Sequence, residues 1–333
     1  MVNNIDSLLE KVSLPLTGND LKANVHCVKD KRQAIAEGLL YEKTVMLISS
    51  DPGCGKSTIA TQLAVELASG LPLFGFFETT RPHKVFYIQA ERDKIEILER
   101  LEQIEKVYPI NYDNLSITTA YQTLNLMDER HCQLFLKCIE RDAKGAEIIF
   151  IDPIYATLRG GLKEDKPASI FTSIMRTIQV MLNCTLWLNH HTTKGKFETD
   201  GTPKDDPFYG SQWLKAFCTG AYYLKENSDK DGVDLIKKKD NYKLLADKIS
   251  LIYNPETELC HFSDYSKLSA RDRLLNYIRM KGMLKKPFTF DEIRREILVS
   301  QPHLRRLMSD TTILGMLKEE KGNKGKIFYH FIG

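Results

Sequence analysis

A lysine and a hydroxyl residue placed directly after a glycine-rich turn can hold phosphate. The chain carries such a group at Ser50-Asp51-Pro52-Gly53-Cys54-Gly55-Lys56-Ser57, followed by Thr58. The spacing is that of the phosphate loop G-x-x-x-x-G-K-[ST], with Ser50 standing where the pattern has its first glycine. Gly53 and Gly55 permit the backbone to turn N–H groups toward an anion. A helix starting near Lys56 adds the positive end of its dipole. Lys56 is placed to neutralise β and γ phosphates, and the Ser57 hydroxyl to bind Mg2+. Cys54 reads as the filler of a variable loop position rather than a redox switch.

A second group of polar residues stands at the ends of apolar runs. Ile148-Ile149-Phe150-Ile151-Asp152 is an apolar strand ending in a carboxylate that can hold a Mg2+ shell through water. The next residue is Pro153, so a water-activating base must come from elsewhere. Glu91, after Val85-Phe86-Tyr87-Ile88-Gln89-Ala90, is the candidate: a carboxylate at the edge of a neighbouring strand can orient water toward a γ-phosphate. The alternative is a helix N-terminal Glu stabilised by the dipole. His190-His191 ends a further strand. Adjacent strand residues point to opposite faces, so the pair does not readily share one metal, and His191 is read as a γ-phosphate sensor, with a plain structural histidine as the alternative.

The elements that position these residues follow from hydrophobic period. Strands are expected at Val45–Ile48, Val85–Ile88, Leu115–Thr119, Ile148–Ile151 and Thr185–Leu188. Helices are expected at Ser57–Leu67, Asp93–Lys106, Glu129–Arg141 and Ala168–Leu182. This alternation predicts an α/β fold, a mostly parallel sheet with helices on both faces. Past Phe208, short strand candidates at Ala221–Leu224, Val233–Ile236, Ile249–Tyr253 and Leu259–Phe262 suggest an antiparallel extension.

Composition supports an ordinary globular protein. The 333 residues are 42% hydrophobic and 27% charged. No apolar run reaches the roughly 18 residues a membrane span needs, and the N-terminus lacks a leader pattern. Seven scattered cysteines without a C-x-x-C pair argue against a zinc ribbon or disulfide scaffold and for a reduced, cytoplasmic protein. A net charge of +3 excludes a chain that holds nucleic acid by bulk charge alone.

The stretch from about 30 to 262 resembles the RecA-superfamily ATPases of the RepA-like hexameric helicase group. The resemblance rests on the phosphate loop within Met46–Thr58; on Leu67-Ala68-Ser69-Gly70-Leu71-Pro72-Leu73-Phe74-Gly75, similar to that group's A-x-G-x-P-x-x-G stretch, leading into Val85–Glu91; on Phe150-Ile151-Asp152-Pro153 with His190-His191-Thr192-Thr193-Lys194; and on Lys238-Lys239-Asp240-Asn241-Tyr242, similar to its K-x-[NR] stretch. The resemblance implies ATP and Mg2+ as cofactors, Glu91 as base, and a homo-oligomer, a hexamer in that group, with sites at subunit boundaries. It implies that Lys239 reaches the ATP of a neighbour. Asn241 stands where related helicases often have Arg, so the second finger contact departs from the pattern. The alternative for Lys237–Lys239 is a solvated charge run. The resemblance also places the loop after His191 at a central channel, where Lys194 and Lys196 would grip single-stranded DNA; the loop also holds Glu198, Asp200, Asp205 and Asp206, and the alternative is an ordinary mobile loop.

From Ala270 on, helix patterns return: Arg271–Met280, Phe290–Ile297 with Thr289 as N-cap, and a helix starting near Ser300-Gln301-Pro302. A hairpin with a basic glycine turn ends the chain. This order resembles a winged helix-turn-helix domain, in which Arg305 and Arg306 would face a duplex groove and Lys324 and Lys326 would sit on the wing. The alternative is a small protein-interaction unit. Residues 268–333 carry 14 basic and 7 acidic side chains, leaving the remainder at −4, so near-neutrality conceals a basic tail. The expected organisation is an N-terminal arm (1–30), a RecA-like domain (31–262), a linker (263–269) and a winged-helix domain (270–333). The expected function is an ATP-driven DNA motor, a replicative helicase of a plasmid, phage or mobile element. The alternative is a recombination, repair or regulatory protein switched by ATP without unwinding.

Overall fold

The computed structural model describes residues 33–122, 124–157, 165–191, 212–227, 230–262, 270–283, 287–297, 299–322 and 327–332. Lys194, Lys196, Lys324 and Lys326, the N-terminal arm and the linker lie outside the described residues.

A hairpin of β1 (Ala34–Ala36) and β2 (Leu40–Tyr41) precedes the main sheet. The sheet is built from β3 (Val45–Ser50), β4 (Val85–Gln89), β5 (Leu115–Thr118), β6 (Ile148–Asp152), β7 (Thr185–His191), β8 (Gly220–Glu226), β9 (Gly232–Asp240), β10 (Lys248–Asn254) and β11 (Leu259–Phe262). Its spatial order is β11-β10-β9-β8-β3-β7-β6-β4-β5. Every pairing from β8 across to β5 is parallel, and β9, β10 and β11 are added antiparallel. Strand β7 therefore separates the phosphate-loop strand β3 from β6, which carries Asp152.

Period 2 sorts the central strands into two cores. Met46, Ile48, Val85, Tyr87, Ile148, Phe150 and Trp187 face one layer, which holds α1 (Lys56–Ser69) and α2 (Lys94–Glu105). Val45, Leu47, Phe86, Ile88, Ile149, Ile151, Leu186 and Leu188 face the other, with α3 (Glu129–Asp142), α4 (Asp165–Leu182) and α5 (Gln212–Phe217). Burial on both faces is why these strands read as continuous apolar runs.

Local chemistry sets the helix ends. Asp93 and Glu96 form a reciprocal capping box at the start of α2, and Asp128 caps α3. α1 is buried from Ile59 to Ala68 on every side, as a helix enclosed between sheet and loops must be. It ends at Gly70, whose φ of 68° lets its N–H reach the carbonyls of Glu66 and Leu67.

The C-terminal unit has its own core, with Leu274, Ile278, Phe288, Ile293, Leu304 and Ile313 fully buried. Its order is α6 (Ala270–Met283), β12 (Phe288–Thr289), α7 (Phe290–Glu296), α8 (Gln301–Met308), α9 (Thr311–Gly315), β13 (Leu317–Lys321) and β14 (Ile327–Phe331). The strands pair β12-β14-β13. Thr289 and Glu292 form the capping box of α7. α9 stops at Gly315 and β13 begins at Leu317. No helix among the described residues is long and apolar enough to cross a membrane.

The turn after α1 gives the first prediction. A Cβ at Gly70 would lie 2.8 Å from the Pro82 ring and 2.9 Å from its backbone nitrogen, on a positive φ. Gly70→Ala should destabilise the protein by about 2–4 kcal/mol, measured as a lowered urea midpoint at unchanged slope.

Candidate functional site

The parallel strands end together along one edge, and the chemistry-bearing side chains stand there. Ser50 pairs in register with His191 on one side and Leu224 on the other, and Gln89 pairs with Asp152. Ligands of open α/β sheets bind outside this carboxyl edge.

Between β3 and α1 the loop Asp51–Gly55 turns through Gly53 (φ 85°) and Gly55 (φ 83°). Neither glycine is crowded, so the left-handed backbone, not space, requires them. Lys56 bends back into the loop, donating to the carbonyls of Ser50 (3.0 Å) and Asp51 (3.1 Å) and to the Ser50 hydroxyl. The Ser50 hydroxyl donates onward to the Asp51 carbonyl at 2.7 Å. Serine in the first glycine position thus supplies the lysine with a ligand. Burial lowers the Lys56 pKa to about 8. Burial likewise raises the Cys54 thiol above its ordinary value, against the opposing pull of Lys56, so the loop cysteine is not an activated thiolate. Ser57 and Thr58 lie in the first turn of α1, and Asn189 on β7 donates to the Lys56 carbonyl at 3.4 Å.

Asp152 is 1% exposed. Its Oδ2 accepts from the Tyr87 hydroxyl at 2.6 Å and from the Gln89 amide at 3.3 Å. Its Oδ1 is buried with no hydrogen-bond partner in the protein. A carboxylate oxygen withdrawn from water in this way suits a cation or its water shell. Among the described residues no three His, Cys, Asp or Glu side chains converge as a metal site. A Mg2+ at Ser57 and Asp152 would therefore take most of its ligands from phosphate and water, which is how that ion is usually held.

Glu91 follows β4, with its Oε2 3.7 Å from His191 Nε2. Burial, then the charge of Asp152, raises the Glu91 pKa. Burial, then Lys56, lowers that of His191, favouring the neutral imidazole. Asp152 and Lys56 thus lie close enough to Glu91 and His191 to shift both. A cleft of about 780 Å3 runs from the loop along its other flank, between Pro52–Gly55, Thr58 and Ile59 on one wall and Glu226, Lys230–Val233, Tyr253 and Pro255 on the other.

Lys239 does not join this group within its own chain. It pairs with Ala221, which pairs with Leu47, three residues before Ser50. That is about 10 Å back along the strand and two strands, about another 10 Å, across the sheet. Its ammonium donates to the Ala216 carbonyl at 3.4 Å. Neighbours in the charge run are engaged: Lys237 with Asp247 at 2.6 Å, and Lys238 over the Tyr223 ring. Arg305 and Arg306 are exposed in the last turn of α8.

Sequence reasoning misses Tyr87, Gln89, Asn189 and the part played by Ser50. A usable signal exists for two of them: Tyr87 and Gln89 lie four and two residues before Glu91, on alternate positions of one strand, where period 2 puts them on a common face.

A family model described as AAA domain matches residues 18–196. No curated protein matches the chain. Among solved structures, one described as an ATPase domain is 14% identical at a TM-score of 0.51, over 78% of this chain and 98% of that one. A DnaB-like replicative helicase, described with its interactions with primase, is 13% identical at 0.53, over 78% of this chain and 71% of that one. A KaiC-like protein from Pyrococcus horikoshii is 14% identical at 0.47, over 69% and 100%. For the ATPase domain and the DnaB-like helicase the likeness is one of fold, the RecA-like α/β sheet.

The buried lysine predicts a pH dependence. With a pKa of about 8 in the free loop, Lys56 must gain a proton before it meets a triphosphate at higher pH. Nucleotide affinity should be flat below about pH 7.5 and fall by about tenfold per pH unit from 8 to 10, read by calorimetry. Lys56→Arg should remove the inflection near 8. Affinity independent of pH across this range would contradict the burial of the amine.

Proposed function

The chain belongs to the AAA domain family as a P-loop ATPase of RecA-like fold, and from that premise we propose that it is an oligomeric DNA helicase driven by ATP hydrolysis. The observation that carries the hydrolytic reading is the pairing of a buried Asp152, its Oδ1 lacking a protein partner, with Glu91 and His191 at the strand edge that also holds Lys56.

In this reading Lys56 leaves its carbonyl ligands for the β and γ phosphates, and the loop N–H groups with the α1 N-terminus hold the rest. The nucleoside lies in the cleft beside Tyr253 and Pro255. Ser57 and Asp152 would hold Mg2+, which would supply positive charge to offset that of the phosphates. Glu91 takes up and orients the attacking water, helped by a pKa raised toward neutrality. His191, its Nε2 3.7 Å from Glu91, would sense the γ-phosphate. Lys239 stabilises charge developing on the γ-phosphate of a neighbouring subunit. Its place about 10 Å back along the sheet from its own loop supports action in trans, and with it a closed assembly such as a hexamer.

DNA is the proposed substrate of the motion. The fold likeness to a solved ATPase domain supports a motor, and the likeness to a DnaB-like replicative helicase supports DNA as its track. So does the +7 charge of residues 268–333. Lys194 and Lys196 would contact single strands in a central channel. The C-terminal unit is proposed as a winged helix, with Arg305 and Arg306 toward a duplex and Lys324 and Lys326 on the wing.

ATP turnover and strand displacement on single-stranded, duplex and forked DNA test the proposal. Turnover stimulated by DNA with displacement of a forked strand is expected, and Lys56→Ala should bring both to background. Turnover stimulated by DNA without displacement would favour the recombination or regulatory alternative. Inactive Lys239→Ala and inactive Glu91→Gln subunits, mixed, should regain part of the turnover if the lysine acts in trans. No regain, with mixed assembly confirmed by native mass measurement, would count against that geometry.

A further inference from the structure

Gln89 is fully buried on β4, yet it uses both ends of its amide. The nitrogen donates to Asp152 Oδ2 at 3.3 Å, and the oxygen accepts from the backbone N–H groups of Glu91 at 2.9 Å and Arg92 at 3.3 Å. These partners fix which end is which: backbone N–H groups need an acceptor, and a carboxylate needs a donor. Two residues earlier on the same strand, the Tyr87 hydroxyl donates to the same Asp152 oxygen at 2.6 Å. The Gln89 nitrogen also lies 3.4 Å from that hydroxyl, which closes a three-membered network. The main chain adds one more tie, from Ala90 N–H to the Asp152 carbonyl at 2.7 Å.

Two consequences follow from this geometry. Both donors saturate Oδ2, so the carboxylate plane is locked and Oδ1 is the oxygen left for an outside ligand. The same amide pins the turn from which Glu91 projects. A change of ligation at Asp152 therefore acts on the Glu91 turn through the direct hydrogen bonds of one side chain. Locking by outer partners of this kind is how metal-side ligands are oriented.

We propose that Gln89 is a positioning residue that couples the metal-side carboxylate Asp152 to the base Glu91, with Tyr87 sharing the orientation of Asp152 but not the hold on Glu91. This rests on the metal-assisted hydrolysis proposed above.

The two side chains separate the two halves of the coupling. Gln89→Met keeps volume and removes both ends, while Tyr87→Phe removes one donor to Asp152 and leaves the Glu91 turn pinned. Two measurements apply to the full chain. One is Mn2+ affinity by electron paramagnetic resonance with a non-hydrolysable ATP analogue bound. The other is ATP turnover against Mg2+ concentration. Both variants should bind Mn2+ more weakly, by about 10–100-fold for Gln89→Met. Tyr87→Phe should lose turnover at limiting Mg2+ and regain it as Mg2+ rises. Gln89→Met should stay about tenfold or more down in kcat at saturating Mg2+, with KM for ATP within about twofold, because Glu91 is no longer held.

Unchanged Mn2+ affinity in both variants, or full recovery of Gln89→Met at saturating Mg2+, would overturn the coupling. If Gln89→Met does not fold, Gln89→Asn, too short to span both partners, takes its place with the same expectations. Absence of turnover in the unmodified chain would instead count against the hydrolytic reading itself.

Discussion

An ammonium withdrawn from water has to be compensated, and the way this chain compensates Lys56 governs the rest of its architecture. With only 5% exposure, the amine is held by two carbonyls and one hydroxyl, all neutral. Neutral ligands soften the desolvation cost without cancelling it, which is why the pKa stays depressed. The site is held ready for an anion: a triphosphate adds charge opposite to that of the amine. For this to work the loop must keep its shape while empty. Its two left-handed glycines, the buried β3 behind it and α1 in front supply that rigidity.

α1 in turn is braced by polar groups in an otherwise apolar layer. Gln62 exchanges two hydrogen bonds with the Cys260 backbone on β11, which ties the phosphate-loop helix to the outermost strand. Glu66 is fully buried and accepts from Gln62, from the Phe74 backbone and from the Tyr108 hydroxyl. Burial raises its pKa to about 8, so the proton is largely retained near neutrality and no bare charge is stranded in the core. The Phe74 contact explains the glycine-proline stretch after α1 in physical terms. Gly70 turns the chain sharply enough that the segment through Phe74 returns to the helix and hands Glu66 an N–H.

Much of this is legible in the amino-acid order, and the reasons for the rest are specific. The strands of the parallel core declare themselves because burial on both faces demands unbroken apolar runs, and the phosphate loop because glycine takes its left-handed turns without a steric cost. The hairpin of β1 and β2 escapes a sequence reading: strands of three and two residues are too short to show a period. Tyr87 and Gln89 look like strand filler in the sequence. Their polar ends meet Asp152 only because β4 and β6, some sixty residues apart in sequence, pair in a register that sequence alone does not give. Lys239 stands out by resemblance, and its place in the sheet cannot be read without the bulge between Ala221 and Tyr222 that sets the pairing.

The antiparallel extension has a part beyond enlarging the sheet. Gly232 packs so closely on β10 that a Cβ there would lie 1.9 Å from the Leu251 carbonyl oxygen, which locks β9 onto β10. The turn that follows β10 carries Pro255 on the wall of the cleft. The same turn is gripped from outside: Arg100 on α2 binds the Glu258 carboxylate at 3.0 Å and the Glu258 carbonyl at 2.7 Å. The N-cap of α2 is Asp93, two residues after Glu91. One wall of the cleft and the segment bearing the candidate base are thus two ends of a single brace, with α2 as its strut.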